Sequence, residues 1–354
     1  MNNYINNLHP EIKEYFKILS PEFPDWLVDY IDTPPMQRLK DISMNCGLDY
    51  CKLFNIQYWY STLDHSVAVA LIIWHFTHDK KQTLAGLFHD IATPAFKHCI
   101  DFLYGDTLVQ EATEEKTALM ISNSKEICTL LKKDNIKIED VIDYHIYPIA
   151  DNDTPRLSAD RFEYNFSSGL SFYRIWQLDT IKEIYQNIEI LVNEDNIIEL
   201  GFTDLKVAEK YIDTVCKLWP QWISDKDRTA MQFIADIIKS MNFSDYLTID
   251  DLYTLSERKI IEKILNCKDD YLKNNFIRFQ KTISFYGSNS FQKDKYCINI
   301  DVKKRYITPL VKHNGKIYRI NDISLKASRD IEQYLNLKHF KYTGFNFDFK
   351  PYKW

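Results

Sequence analysis

Four side chains in this sequence have the types and the context to share one metal ion: His65, the adjacent pair His89 and Asp90, and Asp160. Imidazole and carboxylate donors without a thiolate suit Mn, Fe, Mg, Ni, Co or Zn, and the set does not choose among them. An ion held in this way leaves positions for water and a phosphate oxygen, so hydrolysis of a phosphoester or phosphoanhydride is the chemistry expected. In that chemistry Asp90 can bridge the ion and the attacking nucleophile. Each residue alone reads as readily as a core histidine or a helix-capping aspartate. The set does not, because an Asp beside a His within LAGLFHDIATP is costly to bury unless it is paired or bound to metal.

Periodicity predicts the elements that must position these groups. Around His65, in STLDHSVAVALIIWHF, Val69, Ile72, Ile73 and Phe76 recur at helical spacing, so the histidine stands near the start of a buried helix. His89 and Asp90 close a second apolar run just ahead of Pro94, which places them at a helix end. Asp160 falls in PRLSADRFEY, a third predicted helix following the turn-rich stretch around Pro155. Facing helices are how helical proteins build metal sites from inward side chains. Helix after helix is expected from Pro10 to about Leu218, with a second helical group from about Asp204 to Asn266. Tyr271–Tyr286 and Tyr296–Leu310, rich in aromatic and β-branched residues around Gly287, read as a strand pair. From Ile317 the chain reads as strand, then as a helix beginning near Ser324. The expected fold is mainly α, with a helical domain over residues 1–220 and a smaller mixed α+β lobe over 221–354.

Composition bounds the answer further. A chain of 354 residues with 45% apolar content can bury a large core. Its longest apolar run, VAVALIIW, is far too short for a membrane span, and MNNYINNLHPEIKEYF lacks a signal-peptide pattern, so a cytoplasmic protein with no membrane partner is expected. Seven cysteines with no CxxC pair fit reduced thiols better than a disulfide framework. The net charge of −6 conceals an asymmetry, since residues 268–354 carry 18 Lys and Arg against 8 Asp and Glu. A basic, aromatic-rich segment of this kind attracts phosphates, a nucleic acid or the acidic half of another protomer. The acidic whole disfavours nucleic acid as a partner.

The texts TPPMQRLKDI, LDHSVAVA, HDIATPAFKH and SADRFEYNF, with their H…HD…D order, resemble the HD superfamily of metal-dependent phosphohydrolases. Within it they resemble the deoxynucleoside triphosphate triphosphohydrolase, or dGTPase-like, branch. The resemblance is strongest from Thr33 to Tyr164, while KKRYITPLV and GKIYRINDIS are similar in style to that branch's C-terminal lobe. It implies an HD-domain helical core and one divalent metal ion held by His65, His89, Asp90 and Asp160. The implied substrate is a small nucleotide, cleaved to nucleoside and triphosphate. Arg161 and Tyr164 match a basic residue and a tyrosine that contact phosphates in that branch, and His98 matches a histidine beside them. Lys97 and Arg38 are further phosphate-side candidates, with an exposed charge and a structural ion pair as their competing readings.

The sequence departs from the branch at three substrate-side positions. Thr93 stands where a histidine is usual, so phosphate contact there would rest on a hydroxyl. Thr62 replaces an arginine, and the branch's His-Glu pair aligns with Thr113 and Glu114. Protonation of the leaving group would then come from His98, Glu114, Glu111 or water. These departures leave open a nucleoside monophosphatase, a cyclic-nucleotide phosphodiesterase, or a non-catalytic nucleotide sensor. The resemblance also allows a homo-oligomer with separate nucleotide sites. Lys303, Lys304 and Arg305 are the place to look for one, an exposed turn being the simpler reading of those three.

Overall fold

The computed structural model describes residues 3–108 and 116–352, and within them helices dominate. The first site helix spans Thr62–Thr77 and opens on a capping box. The Ser61 hydroxyl accepts from the Asp64 amide at 3.1 Å, and the Asp64 carboxylate accepts from the Ser61 amide at 2.9 Å. Two first-turn amides are thereby satisfied, which starts the helix at Thr62, three residues ahead of His65. Every residue from Thr62 to Ile73 is buried, so this helix runs through the core rather than along the surface.

A second helix, Lys80–Phe88, packs closely against the first. Gly86 makes the approach close, because a Cβ there would lie 2.2 Å from Ile73 Cδ1. The helix ends on His89, which therefore emerges beside His65. The third site helix, Ala159–Ser171, is capped by Ser158, whose hydroxyl accepts from the Arg161 amide at 3.2 Å. Asp160 sits in its first turn.

Seven strands complete the described fold: β1 (Ile188–Val192), β2 (Ile198–Phe202), β3 (Tyr286–Ser288), β4 (Tyr296–Ile298), β5 (Leu310–His313), β6 (Lys316–Arg319) and β7 (Tyr342–Phe345). One sheet has the order β1-β2-β5-β6, with β2 and β5 parallel and the other two pairs antiparallel. The other places β7 between β3 and β4, both antiparallel to it.

Two expectations need correction. The β1–β2 hairpin lies inside the stretch read as helix throughout, although its β-branched runs flank a polar turn at Asn193–Asn196. Tyr271–Tyr286 is mostly the helix Asp270–Lys281, because Leu272, Phe276 and Phe279 follow the helical period despite their β-favouring types. Strands β3 and β4 consequently pair through β7 instead of with each other. The predicted helix after Ser324 spans Leu325–Leu335 with Ser324 as its cap.

Two hydrophobic cores form, and each draws on both halves of the sequence. The core around the Thr62–Thr77 helix includes Ile307, Val311, Ile320 and Ile331. The core around the helix Asp225–Phe243 includes Cys46, Leu48, Phe54, Phe96 and Ile100. All seven cysteines are free thiols. No helix among the described residues is long and apolar enough to cross a membrane.

Candidate metal centre

Where the two cores meet, a cavity of about 280 Å³ is lined by residues of both, and the candidate ligands lie in its wall. His65 Nε2 is 3.1 Å from His89 Nε2 and 3.1 Å from Asp160 Oδ1. One donor atom from each of these three residues falls within 4.8 Å of the others. Asp90 adjoins the trio, its Oδ2 3.8 Å from His65 Nε2 and 3.7 Å from His89 Nε2.

The far side of each imidazole shows what the near side is prepared for. His89 Nδ1 is 2.7 Å from the Gly86 carbonyl, which can only accept, so the proton sits on Nδ1 and the Nε2 lone pair faces the centre. His65 Nδ1 faces the fully buried carboxylate of Glu163. That carboxylate also accepts from Tyr60 Oη at 2.6 Å, Tyr15 Oη at 3.4 Å and Ser167 Oγ at 3.1 Å. Two imidazole nitrogens and a carboxylate oxygen thus converge, with His65 Nε2 within hydrogen-bonding distance of both the others. A cation at their focus resolves that crowding, and a carboxylate or carbonyl behind each ligating histidine is the usual support of such a site.

Burial opposes a charge on His65, but Glu163 and Asp160 outweigh it and raise the imidazole to about 10. Burial raises Asp160 in turn, yet the His65 hydrogen bond and the charges of His89 and His65 hold it below the ordinary carboxylate range. The donor set therefore fits a divalent ion.

Around this focus the other predicted residues take distinct places. Asp90 is clamped, with Lys97 Nζ 2.6 Å from Oδ2 and Thr93 Oγ1 donating to Oδ1 at 2.8 Å. Burial alone would raise its carboxyl, but Lys97, His89 and His65 hold it well below the usual range. Thr93 thus spends its hydroxyl on Asp90. Arg38 lies behind the same turn, where Nη2 donates to the carbonyls of Ile91 at 3.2 Å and Thr93 at 2.7 Å. Burial pushes its guanidinium down to about 10.

His98, Arg161, Tyr164 and Lys97 line the cavity. His98 Nδ1 contacts the buried Asp101 Oδ2 at 2.8 Å, and its Nε2 faces Arg305 Nη2 at 3.5 Å. Arg161 is tied to Asp151 at 3.0 Å and to Asn152 Oδ1 at 2.8 Å. Tyr164 packs its ring edge against Trp222, and burial pushes its phenol up to about 12. Glu111, Thr113 and Glu114 lie outside the described residues.

Sequence reasoning missed Glu163 and Asp101, and it placed Arg305 elsewhere. Glu163 had a signal, since it stands one helical turn after Asp160. Of the basic triplet, Lys303 and Arg305 line the cavity, whereas Lys304 Nζ donates to the carbonyls of Leu335 at 2.5 Å and Leu337 at 3.0 Å.

No model of a known protein family matches the chain. The uncharacterized protein YdhJ of Bacillus subtilis is 28% identical over 139 residues, 39% of this chain and 41% of that protein. The metal-dependent phosphohydrolase cns2 of Cordyceps militaris is 23% identical over 158 residues, 45% of this chain and 44% of that protein. Both matches span less than half of the relative's length. Among solved structures, a hypothetical protein from Aquifex aeolicus superposes with a TM-score of 0.63 at 16% identity, over 91% of this chain and 92% of that one. A phosphohydrolase from Bacteroides thetaiotaomicron does so with a TM-score of 0.61 at 15% identity, over 91% and 96%. The chain thus shares its fold with these proteins, and it is a low-identity homologue of a metal-dependent phosphohydrolase.

Proposed function

We propose that this protein is an HD-type, metal-dependent phosphohydrolase of nucleotides that cleaves a deoxynucleoside triphosphate to nucleoside and triphosphate. One observation carries the reading. The convergence of His65, His89 and Asp160 lies in the wall of a cavity whose other lining residues include Lys97, Arg161, Lys303 and Arg305. Such cations suit a polyanionic substrate. A divalent ion bound there supplies Lewis acidity toward a phosphoryl oxygen and makes water a better nucleophile near neutral pH.

The protein's own groups do the rest. Asp90, fixed by Lys97 and Thr93 beside the centre, would join the three other ligands in holding the ion and orient the attacking water. Arg161, Tyr164 and Arg305 face the cavity and orient the phosphates, Arg161 being locked in place by Asp151 and Asn152. His98, steadied through Nδ1 by Asp101, presents Nε2 to the cavity, where it takes up the proton released by the attacking water and passes it to the leaving oxygen.

Product identification tests this reading. Purified protein, loaded in turn with each candidate metal, is incubated with deoxynucleotides, ribonucleotides and cyclic nucleotides, and the products are identified by mass spectrometry. Deoxynucleoside and inorganic triphosphate in equal amounts are expected, with at least about a thousandfold loss in His65→Ala. Orthophosphate or a linear monophosphate as the sole product would replace the triphosphohydrolase reading. Nucleotide binding without turnover under any metal would replace catalysis with sensing.

A further inference from the structure

The cavity has a second end that the chemistry above leaves unused. On the helix Ala159–Ser171, the residues Asp160, Tyr164, Ser167, Ser168 and Ser171 all border it, so the wall runs from the metal centre for about 16 Å at 1.5 Å per residue. Beyond Ser171 the lining turns largely apolar, with Phe172, Tyr173, Cys46 and Met231, and among them stands Asp227. Its nearness to Tyr173 and Cys46 shows in the upward push its charge exerts on both.

Asp227 is 4% exposed and has no hydrogen-bond or ion-pair partner for its carboxyl among the described residues. Its position makes this unusual. It is the third residue of the helix Asp225–Phe243, capped by Ser224. At the same position of two other helices Asp64 and Asp251 turn back to the N-cap amide. Here the Ser224 amide is taken by the Gln221 carbonyl at 3.3 Å, and Arg228 pairs with Asp225 at 2.6 Å. Burial, offset only in part by Lys226, pushes the Asp227 carboxyl up to about 8. An unpaired buried carboxyl costs free energy that a hydrogen-bonding ligand group recovers.

We propose that Asp227 reads an exocyclic amino group on the base of the bound nucleotide, the ring lying among Phe172, Tyr173 and Met231 while the phosphates occupy the metal end. A carboxyl suits this group in either state. Protonated, it pairs with a ring nitrogen and its adjacent amine; ionised, it accepts from two N–H donors. The sugar joins base to phosphates and so falls midway, beside Tyr164 and Ser168. The inference rests on the phosphohydrolase reading, and it names the substrate feature that the site selects.

The test compares substrates that carry an exocyclic amine with counterparts that lack it: the faster of dATP and dGTP against deoxyinosine triphosphate, and dCTP against deoxyuridine triphosphate. In at least one pair the metal-loaded enzyme should favour the amino member by about tenfold or more in kcat/KM, since a site built around a hydrogen bond rejects the analogue lacking it. In Asp227→Leu that ratio should collapse toward one, and Asp227→Asn should retain part of it, with thermal melts confirming that both variants fold. Should neither fold, dATP dimethylated on its exocyclic nitrogen serves instead, and it should lose the advantage over deoxyinosine triphosphate. Equal rates within both pairs, an unchanged ratio in folded Asp227→Leu, or full use of the dimethylated substrate would overturn the proposal. Equilibrium dialysis with the corresponding nucleosides separates the two claims. Base preference in binding without hydrolysis tells against the phosphohydrolase alone, and hydrolysis without base preference tells against Asp227 alone.

Discussion

Glu163 shows how much of this site lies one residue behind its ligands. It fixes the His65 proton on the side away from the centre and is itself held by Tyr60, Tyr15 and Ser167. Glu163→Gln keeps the shape and removes the charge, so metal affinity should fall about 10- to 100-fold, as read by titration against a chelator. An unchanged affinity would show that His65 needs no such support. Arg305 belongs to the same scale. If it binds phosphate, Arg305→Ala should lower kcat/KM about 10- to 100-fold, consistent with one charged hydrogen bond, while metal content stays the same. A kcat/KM within twofold of wild type would remove it from the substrate site. The candidate ligands could be read as a set in the sequence because His65, the His89–Asp90 pair and Asp160 each fall in a helical text of their own. Arg305 and Asp227 were not, because their roles depend on which distant segment the chain folds against. No local pattern records that.

At the scale of elements, the site depends on two helices meeting more closely than ordinary side chains permit. Gly86 allows this, and Gly86→Ala should force Ile73 aside at a cost of about 1–3 kcal/mol, read as a lowered denaturation midpoint. Stability equal to wild type would mean the contact is soft. The turn after Asp90 is a second dependence. Phe96 and Lys97 both adopt positive φ, at 66° and 43°, and the turn is held by Glu257, whose Oε1 accepts from the Phe96 amide at 3.1 Å and the Ser43 amide at 3.2 Å. Burial, with help from Asp49, raises the Glu257 carboxyl from 4.5 to about 8. The folded chain therefore keeps this proton through a range in which the unfolded chain has lost it. Its contribution to stability is full below about pH 4.5 and is lost as pH rises toward 8. Urea unfolding at pH 5 and pH 8 should show the wild type losing on the order of a few kcal/mol more than Glu257→Gln across that interval; parallel losses would contradict the shift. The helices around His65 and after Ser324 were legible in the sequence, and Ser61 and Ser324 are the residues that cap them. The β1–β2 hairpin and the helix Asp270–Lys281 were misread because apolar composition was weighed above period.

At the scale of the whole molecule, the two halves of the sequence interleave. The cavity takes its metal ligands from residues 65–160 and further lining from Trp222, Asp227, Met231 and the segment Val302–Arg305. The basic surplus of residues 268–354 thus delivers at least two cations to an acidic partner lobe's cleft, an arrangement that suits a phosphate-rich substrate better than a separate docking face. The mainly α expectation survives intact, with the sheets confined to the second half of the chain and its edge near residue 188. On the reading proposed above, hydrolysis depends on one divalent ion held by His65, His89, Asp90 and Asp160. The most direct measurement strips the protein with a chelator, restores metal in steps, and records bound metal and nucleotide hydrolysis on the same samples. Activity should rise in proportion to metal and level at one ion per chain, with neither signal in His65→Ala. Full hydrolysis by the stripped protein, or normal metal uptake by His65→Ala, would contradict that reading.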